Sequence, residues 1–128
     1  MKVLLSIKPE FAEKIFSGEK KYEYRKVIFK RDVTCVVVYA THPVGRLIGE
    51  FEIDSVLSER PRDLWEKTKE FSGISKDFFA EYFQGRERGY AIKVGRIRKY
   101  EQAVLPDSVF KKGFVAPQSF RYVDALGL

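Results

Sequence analysis

The segment TCVVVYAT, residues 34–41, limits the possible folds of this 128-residue chain more than any other segment. It is dominated by β-branched side chains, which pack well on a pleated sheet and lose rotamer freedom in a helix. We therefore predict a central β-strand here, for which the rest of the chain must supply neighbours. Four runs of similar character are predicted to be strands: KVLLSI (2–7), RLIGEFEIDSVL (46–57), GYAIKVGRIRKY (89–100) and QSFRYV (118–123). Gly49 is a possible bulge and Gly95 a bend.

Short helices are predicted between these strands. The first is PEFAEKIFS (9–17), with a proline suited to its first turn and Gly18 in the position of a left-handed C-terminal cap. Two more are predicted at 60–71 and 75–83, the latter opening on a serine cap. Strands with inserted helices and no recognisable linker predict one α+β domain over residues 1–128. The expected architecture is a small, partly closed β-barrel with short helices inserted between strands.

Several kinds of catalytic site are excluded by residue content. The only cysteine, Cys35, lies inside the predicted central strand, where a small buried residue fits. The only histidine, His42, lies beyond the other end of that strand, too far away to form a nucleophile–base pair with Cys35. Zinc ligands are too few, and neither a Gly-rich phosphate loop nor a GxSxG elbow occurs. We expect no metal and no cofactor.

The charge balance favours an anionic partner. The chain carries 24 basic and 18 acidic residues, for a net charge of +6, and such an excess is typical of proteins that bind nucleic acid. No apolar run approaches the roughly 20 residues of a membrane span, and charges interrupt the apolar N-terminal run too early for a secretory signal. A cytoplasmic protein without a membrane partner is expected. The oligomeric state is left open.

The segment GEKKYEYR, residues 18–25, is the most unusual part of the chain because five of its eight residues carry charge next to two tyrosines. If its second half is a strand, Glu23 and Arg25 share one face. Lys20 is an odd number of residues away from both, so in a regular strand its side chain would lie on the opposite face. It can join them only if the chain is not yet regular strand at that position. From spacing alone, a solvated charged strand and a functional cluster both remain open.

The pattern G-x-K-x-x-E-x-R, preceded by S-x-K-P-x-F and a short helix, resembles the signature of the ASCH domain family. The matching residues are Ser6, Lys8, Pro9, Phe11, Ile15, Gly18, Lys20, Glu23 and Arg25. Later blocks, among them GYAIK and PQSFRY, resemble longer ASCH-type proteins described as predicted transcriptional regulators. The resemblance spans nearly the whole chain. It implies a barrel of the PUA-like superfamily, whose members bind RNA or modified bases in a cleft beside the barrel.

By this resemblance, Lys20, Glu23 and Arg25 would line the cleft at the foot of the first helix. Cations suit phosphate, a carboxylate can accept hydrogen bonds from an exocyclic amine, and aromatic rings can stack on a base. The expected partner is RNA or a nucleotide or nucleoside ligand. The residues expected to bind it are Ser6, Lys8, Lys20, Glu23, Arg25, Tyr39, Thr41 and Phe120.

Three functions remain open. The first is an RNA- or nucleotide-binding module with a possible regulatory role. The second is a small hydrolase acting on a modified nucleoside or on RNA, with Lys20 and Glu23 as its catalytic residues. Some small ASCH proteins hydrolyse acetylated cytidine nucleosides with the motif lysine and a nearby threonine, and Glu23 stands in the place of that threonine. The third is a protein-interaction domain.

Overall fold

The structure is a computed structural model that describes residues 1–110 and 113–123. These residues contain β-strands with short helices inserted between some of them. The strands are β1 (Lys2–Ile7), β2 (Tyr22–Arg25), β3 (Cys35–Ala40), β4 (Arg46–Glu59), β5 (Gly89–Val104) and β6 (Arg121–Val123). The α-helices are α1 (Pro9–Ser17), α2 (Pro61–Thr68) and α3 (Lys76–Tyr82), and 3-10 turns occupy Lys69–Phe71 and Pro106–Ser108.

The six strands form one mixed sheet in the order β2-β5-β4-β3-β1-β6. β1 and β3 are parallel, and the other neighbouring pairs are antiparallel. In the part of the chain that the structure describes, the edge strands β2 and β6 are not paired with each other, so the barrel does not close. The predicted α+β class and partly closed barrel with inserted helices are confirmed.

β3 is the central strand that its composition predicts, between β1 and β4. Val36, Val37 and Val38 are all 0% exposed, which means that both faces of this strand are buried. Val36 and Val38 pack under α1 with residues of β1, whereas Val37 faces a second cluster on the opposite side of the sheet. Two-sided burial explains why this run is continuously apolar and does not alternate.

The bulge expected at Gly49 is present where the β3–β4 register shifts between Val38 and Tyr39. A Cβ atom at Gly49 would lie 2.6 Å from the ring of Phe16 and 2.7 Å from the carbonyl oxygen of Arg98. The missing side chain therefore lets α1 pack closely on β4. The register of β4 and β5 also shifts next to Gly95, in agreement with the predicted bend.

The helix ends follow their local sequence. Gly18 has φ +90°, and its N–H donates to the Ile15 carbonyl at the end of α1. The Ser75 hydroxyl accepts a hydrogen bond from the Phe78 N–H at the start of α3. A third hydrophobic cluster, formed by Tyr24, Leu64, Phe79, Phe83 and Ala91, lies beneath α2 and α3.

Two predicted elements are shorter in the structure. The helix predicted at 60–71 divides into α2 and a 3-10 turn. The last strand begins at Arg121 and not at residue 118, because the preceding carbonyls of Pro117 and Ser119 accept hydrogen bonds from the side chains of Ser6 and Arg25. Of the helices in the described ranges, none has the length and apolar character needed to cross a membrane.

Candidate functional site

Lys20 lies between the end of α1 and the start of β2, outside regular strand. Its backbone N–H donates to the Lys14 carbonyl, and the next N–H, at Lys21, donates to the Phe71 carbonyl. These bonds hold a tight connection after Gly18. The side chain of Lys20 is therefore not constrained by strand parity and points toward the same cavity as Glu23 and Arg25.

The Lys20 side chain is 2% exposed. Its Nζ donates to the Ser72 carbonyl at 2.6 Å and lies 4.8 Å from the centre of the Tyr24 ring and 5.4 Å from that of Phe11. Burial lowers the pKa of Lys20 to about 8; Glu23 opposes this shift and Lys14 adds to it. A substantial fraction of the amine is therefore neutral just above physiological pH.

The turn containing Ser72 and Gly73 encloses Lys20. Gly73 has φ +70°, and a Cβ atom there would lie 2.6 Å from both Cβ and Cγ of Lys20. The Lys14 amine donates to the Gly73 carbonyl, which joins α1 to the same turn. Glycine is required here both for the backbone conformation and for the space that the lysine chain occupies.

Glu23 and Arg25 lie on β2 and share a face, as their spacing predicts. Glu23 is 7% exposed, and its carboxylate accepts a hydrogen bond from Arg25 Nη1 at 3.3 Å. The Arg25 guanidinium also donates to the carbonyls of Ser6 and Ser119. Arg25 thus orients the carboxylate and at the same time joins β1, β2 and the segment before β6.

Two tyrosines complete the walls. The Tyr24 hydroxyl donates to Thr68 Oγ1, which itself donates to the Leu64 carbonyl. The Tyr82 hydroxyl donates to the Tyr24 carbonyl on the outer edge of β2. Burial raises the pKa of Tyr24 to about 12 and also raises the pKa of Tyr82. Both hydroxyls are therefore protonated at neutral pH, and both rings serve as uncharged surfaces.

These residues enclose a cavity of about 220 Å³, which we call the Lys20 cavity. Its charged groups and aromatic rings are interleaved, since the Lys20 amine lies over Tyr24 and the Lys8 amine lies 5.5 Å from the centre of the Phe78 ring. Its lining consists of Ser6, Ile7, Lys8, Phe11, Lys20, Glu23, Tyr24, Arg25, Ile74, Phe78 and Tyr82. Within residues 1–110 and 113–123, no three His, Cys, Asp or Glu side chains are grouped so as to hold a metal ion.

Five of the eight residues predicted to bind a ligand line this cavity: Ser6, Lys8, Lys20, Glu23 and Arg25. The other three lie elsewhere in the structure. The Tyr39 ring packs 4.9 Å from that of Phe114, Thr41 lies in the turn after β3, and the Phe120 ring packs near Phe29 and Tyr122. These three residues do not line the cavity, and their role in binding stays a prediction.

The sequence reasoning missed Phe78, Tyr82 and the Ser72–Gly73 turn as parts of the site. Both residues lie within the helix predicted at 75–83. Their four-residue spacing places them on one helix face, but it does not tell that face from the one formed by Phe79 and Phe83, which packs in the core. Nothing in the sequence near Ser72 signals its contact with Lys20, 52 residues away.

The open barrel and its small charged cavity define a compact barrel domain with a ligand-sized site beside the sheet. This chain belongs to the ASCH domain family, which matches residues 5–104. The matched range runs from within β1 to the end of β5, so it includes every residue that lines the Lys20 cavity.

Related proteins differ in how much of their length this chain covers. The chain is 26% identical over 126 residues to the ASCH domain-containing ribonuclease of Zymomonas mobilis, covering 94% of this chain and 82% of that protein. It is 28% identical over 123 residues to the large ribosomal subunit protein uL22 of Ureaplasma parvum. The chain spans only about two fifths (39%) of that protein's length.

Solved structures agree with the fold. The crystal structure of ASCH from Zymomonas mobilis has a TM-score of 0.89 at 24% identity, covering 97% of this chain and 88% of that one. The N-terminal domain of McrB from Staphylothermus marinus has a TM-score of 0.50 at 16% identity, covering 84% and 78% of the two chains. The partly closed barrel expected from the sequence is therefore shared with these structures. At these identities the likeness concerns the fold alone.

Proposed function

We propose that this ASCH domain is an RNA-binding module that holds one nucleotide in the Lys20 cavity. The observation that carries the proposal is the buried Lys20 amine, which lies beside a carboxylate and over aromatic rings in a small cavity. The excess of basic residues, with a net charge of +6, supports a polyanionic partner. The cytoplasmic location and the regulatory role expected from the sequence belong to the same proposal.

The cavity suits a single base. Its volume of about 220 Å³ is below the roughly 300–1,000 Å³ of pockets for drug-sized ligands. Lys20 can donate to a carbonyl oxygen of the base, and Glu23 can accept from an exocyclic amine. The rings of Tyr24, Phe78 and Tyr82 supply apolar surface. Recognition of unstacked bases by aromatic rings and edge hydrogen bonds is typical of single-stranded RNA.

A binding titration tests this function. Fluorescently labelled single-stranded RNA of mixed sequence would be titrated with the protein at two salt concentrations, with free nucleoside monophosphates as competitors. We expect binding that weakens as salt rises, because phosphate contacts release counterions. Lys20→Met and Glu23→Gln should weaken it, whereas Lys99→Met, an exposed change on β5, should not. Absence of binding by both RNA and mononucleotides at low salt contradicts the proposal.

A second candidate function is RNA cleavage. The pKa of Lys20, lowered to about 8, supports it, since a general base works best with a pKa near the working pH. The neutral amine could take a proton from the attacking hydroxyl while Arg25 stabilises the developing negative charge. The ribonuclease name of the Zymomonas relative favours this candidate. Incubation with end-labelled RNA would separate the two functions: cleavage that Lys20→Met abolishes while binding persists identifies a ribonuclease.

A further inference from the structure

A second and larger cavity lies on the other side of α3. It is a groove of about 930 Å³ between α2 and α3, which we call the α2–α3 groove. Its floor is aromatic: Phe79 and Phe83 are buried, and the half-buried Trp65 packs on Phe79 with ring centres 5.0 Å apart. Trp65 is the only tryptophan of the chain. None of these three residues lines the Lys20 cavity.

The rim of the groove is positively charged. It carries the cations Arg60, Arg62, Lys76 and Arg86 and the carboxylates Glu66 and Glu87. One carboxylate, that of Glu66, forms an ion pair with Lys69, which lies outside the groove lining. Within the described ranges, the side chains of Arg60, Arg62 and Lys76 make no hydrogen bond to protein and no ion pair shorter than 4.0 Å. These three cations are therefore available to an anionic ligand.

α3 is the shared wall of the two cavities. Phe78 and Tyr82 line the Lys20 cavity, whereas Phe79 and Phe83, one position further along, line the groove. Tyr24 connects the two sides, since its ring lies under the Lys20 amine at 4.8 Å and packs edge-on against Phe79 at 5.1 Å. A movement of the Tyr24 ring in one cavity would therefore also move the wall of the other.

Basic and aromatic side chains also connect the cavities around the C-terminal end of α3. Arg86, on the groove rim, donates to the Lys26 carbonyl at 2.9 Å. The Lys26 amine lies 4.6 Å from the centre of the Tyr82 ring, and Tyr82 lines the Lys20 cavity. Alternating cations and rings are the surface that single-stranded nucleic acids follow, with cations meeting phosphates and rings meeting bases.

We propose that the α2–α3 groove is a second nucleotide subsite for the same single-stranded RNA whose base enters the Lys20 cavity. A base stacks against Trp65, and phosphates contact Arg60, Arg62 and Lys76. The RNA strand passes Arg86 and Lys26 on its way around α3. This inference rests on the proposed RNA-binding function and adds the path of the strand to it.

The test uses Trp65 as reporter and an oligouridylate of about 12 nucleotides as ligand. Binding is followed both by anisotropy of the labelled RNA and by Trp65 fluorescence, between about 50 and about 200 mM salt. We expect the oligouridylate to quench Trp65. R60Q/R62Q replaces two cations that would contact phosphates. The slope of the logarithm of the RNA association constant against the logarithm of the salt concentration should become shallower by about 1.4, since each phosphate contact on a single strand contributes about 0.7.

Two controls give the result its meaning. K93Q/K99Q removes the same charge from β5, outside both cavities, and is expected to keep the wild-type slope. K20M is expected to weaken RNA binding but to keep the quenching of Trp65 at saturating RNA. Arg60, Arg62 and Lys99 are exposed, and Lys93 forms only a long, solvent-exposed ion pair with Asp54 at 3.8 Å, which contributes little to stability. Both double variants should therefore unfold at the wild-type urea concentration.

Several outcomes overturn the proposal and can be told apart. In the first outcome, RNA binds without quenching Trp65, and the salt dependence of binding has the same slope in R60Q/R62Q and wild type. This result contradicts a subsite in the groove but not the proposed RNA-binding function. In the second outcome, RNA does not bind at low salt, which contradicts both the subsite and the proposed RNA-binding function. An oligoglutamate of matched length that quenches Trp65 while RNA does not would instead assign the groove to an acidic peptide.

Discussion

Gly73 lies against the aliphatic chain of Lys20 so closely that a Cβ atom there would approach Cβ and Cγ of the lysine to 2.6 Å. The two residues are far apart in the chain, yet the absence of a side chain at one creates the burial of the other. The site lysine therefore has its low pKa because a glycine turn packs against it. Any side chain added at Gly73 must displace the lysine or the turn.

Gly73→Ala should destabilise the protein and disturb the Lys20 cavity. The substitution adds the cost of a left-handed conformation, about 1–2 kcal/mol, and a steric clash with a fully buried chain. Gly85→Ala is the matched control, because Gly85 has φ +77° but a Cβ atom there would meet no other atom within 4 Å. Urea unfolding should show a clearly larger loss of free energy for Gly73→Ala. Equal losses would mean that Lys20 adapts without cost.

A pH dependence of stability follows from Lys20. Its folded pKa of about 8 lies below the ordinary value of 10.5, so between these pH values the unfolded chain binds more protons and stability rises with pH. The contribution of Lys20 should change by about 2 kcal/mol between pH 8 and 10. Cys35, Tyr24, Tyr82 and Tyr100 act in the opposite direction, because their folded pKa values are raised.

The measurement is therefore a difference between variants. Free energies of unfolding would be determined at several pH values for the wild type, Lys20→Met and Lys99→Met. The wild type should gain about 2 kcal/mol relative to Lys20→Met from pH 8 to 10, and it should gain nothing relative to Lys99→Met. A parallel pH profile for wild type and Lys20→Met would show that the amine titrates normally in the folded protein.

The sequence predicts those parts of the fold that depend on local preference. The β-branched run of β3 indicates a central strand, Gly18 indicates the end of α1, and Ser75 indicates the start of α3; each is present. Strand parity also indicates correctly that Lys20 can join Glu23 and Arg25 only outside regular strand. These features need no knowledge of distant contacts.

The remaining parts depend on contacts between residues far apart in the chain. The segment before β6 has the composition of a strand, but Arg25 and Ser6 bind its carbonyls, and regular pairing starts only at Arg121. Tyr39 pairs in register with the motif residue Ser6, yet its ring packs against Phe114. Composition cannot tell which aromatic ring packs in the core and which lines a cavity.

The pair of Glu23 and Arg25 should be strongly coupled. Arg25→Gln removes the ion-pair partner of the Glu23 side chain, which is only 9% exposed, and leaves Lys20 as its remaining cation. Breaking a buried pair typically costs about 3–5 kcal/mol. In the Arg25→Gln background, Glu23→Gln should recover part of that loss because the unpaired charge disappears. The double-mutant cycle would be measured by urea unfolding at pH 7. Strict additivity of the two single losses would show that the charges do not interact.

Arg25→Gln should also loosen the segment before β6. The wild-type side chain donates to the Ser119 carbonyl, and its loss removes one of the two side-chain bonds that hold this segment to the sheet. Hydrogen exchange of the β6 amides, Arg121–Val123, which pair with β1, should therefore become faster, while the amides of α2, which packs on β4 and β5, stay protected. Arg96→Gln is the control, and unchanged exchange in Arg25→Gln would mean that Ser6 alone holds the segment.

Thr68→Val should cost more than Tyr24→Phe. Valine has nearly the shape of threonine, but it removes the acceptor of the buried Tyr24 hydroxyl, whose bond to Thr68 Oγ1 is 2.7 Å long. An unsatisfied buried hydroxyl costs about 1–3 kcal/mol. In Tyr24→Phe, the Thr68 hydroxyl still donates to the Leu64 carbonyl, so less is lost. The double variant should then be close in stability to Tyr24→Phe alone, because no unpaired phenol remains. If thermal unfolding instead shows Thr68→Val to be neutral, the Tyr24 hydroxyl must have another acceptor, and its ring need not be fixed beneath the Lys20 amine.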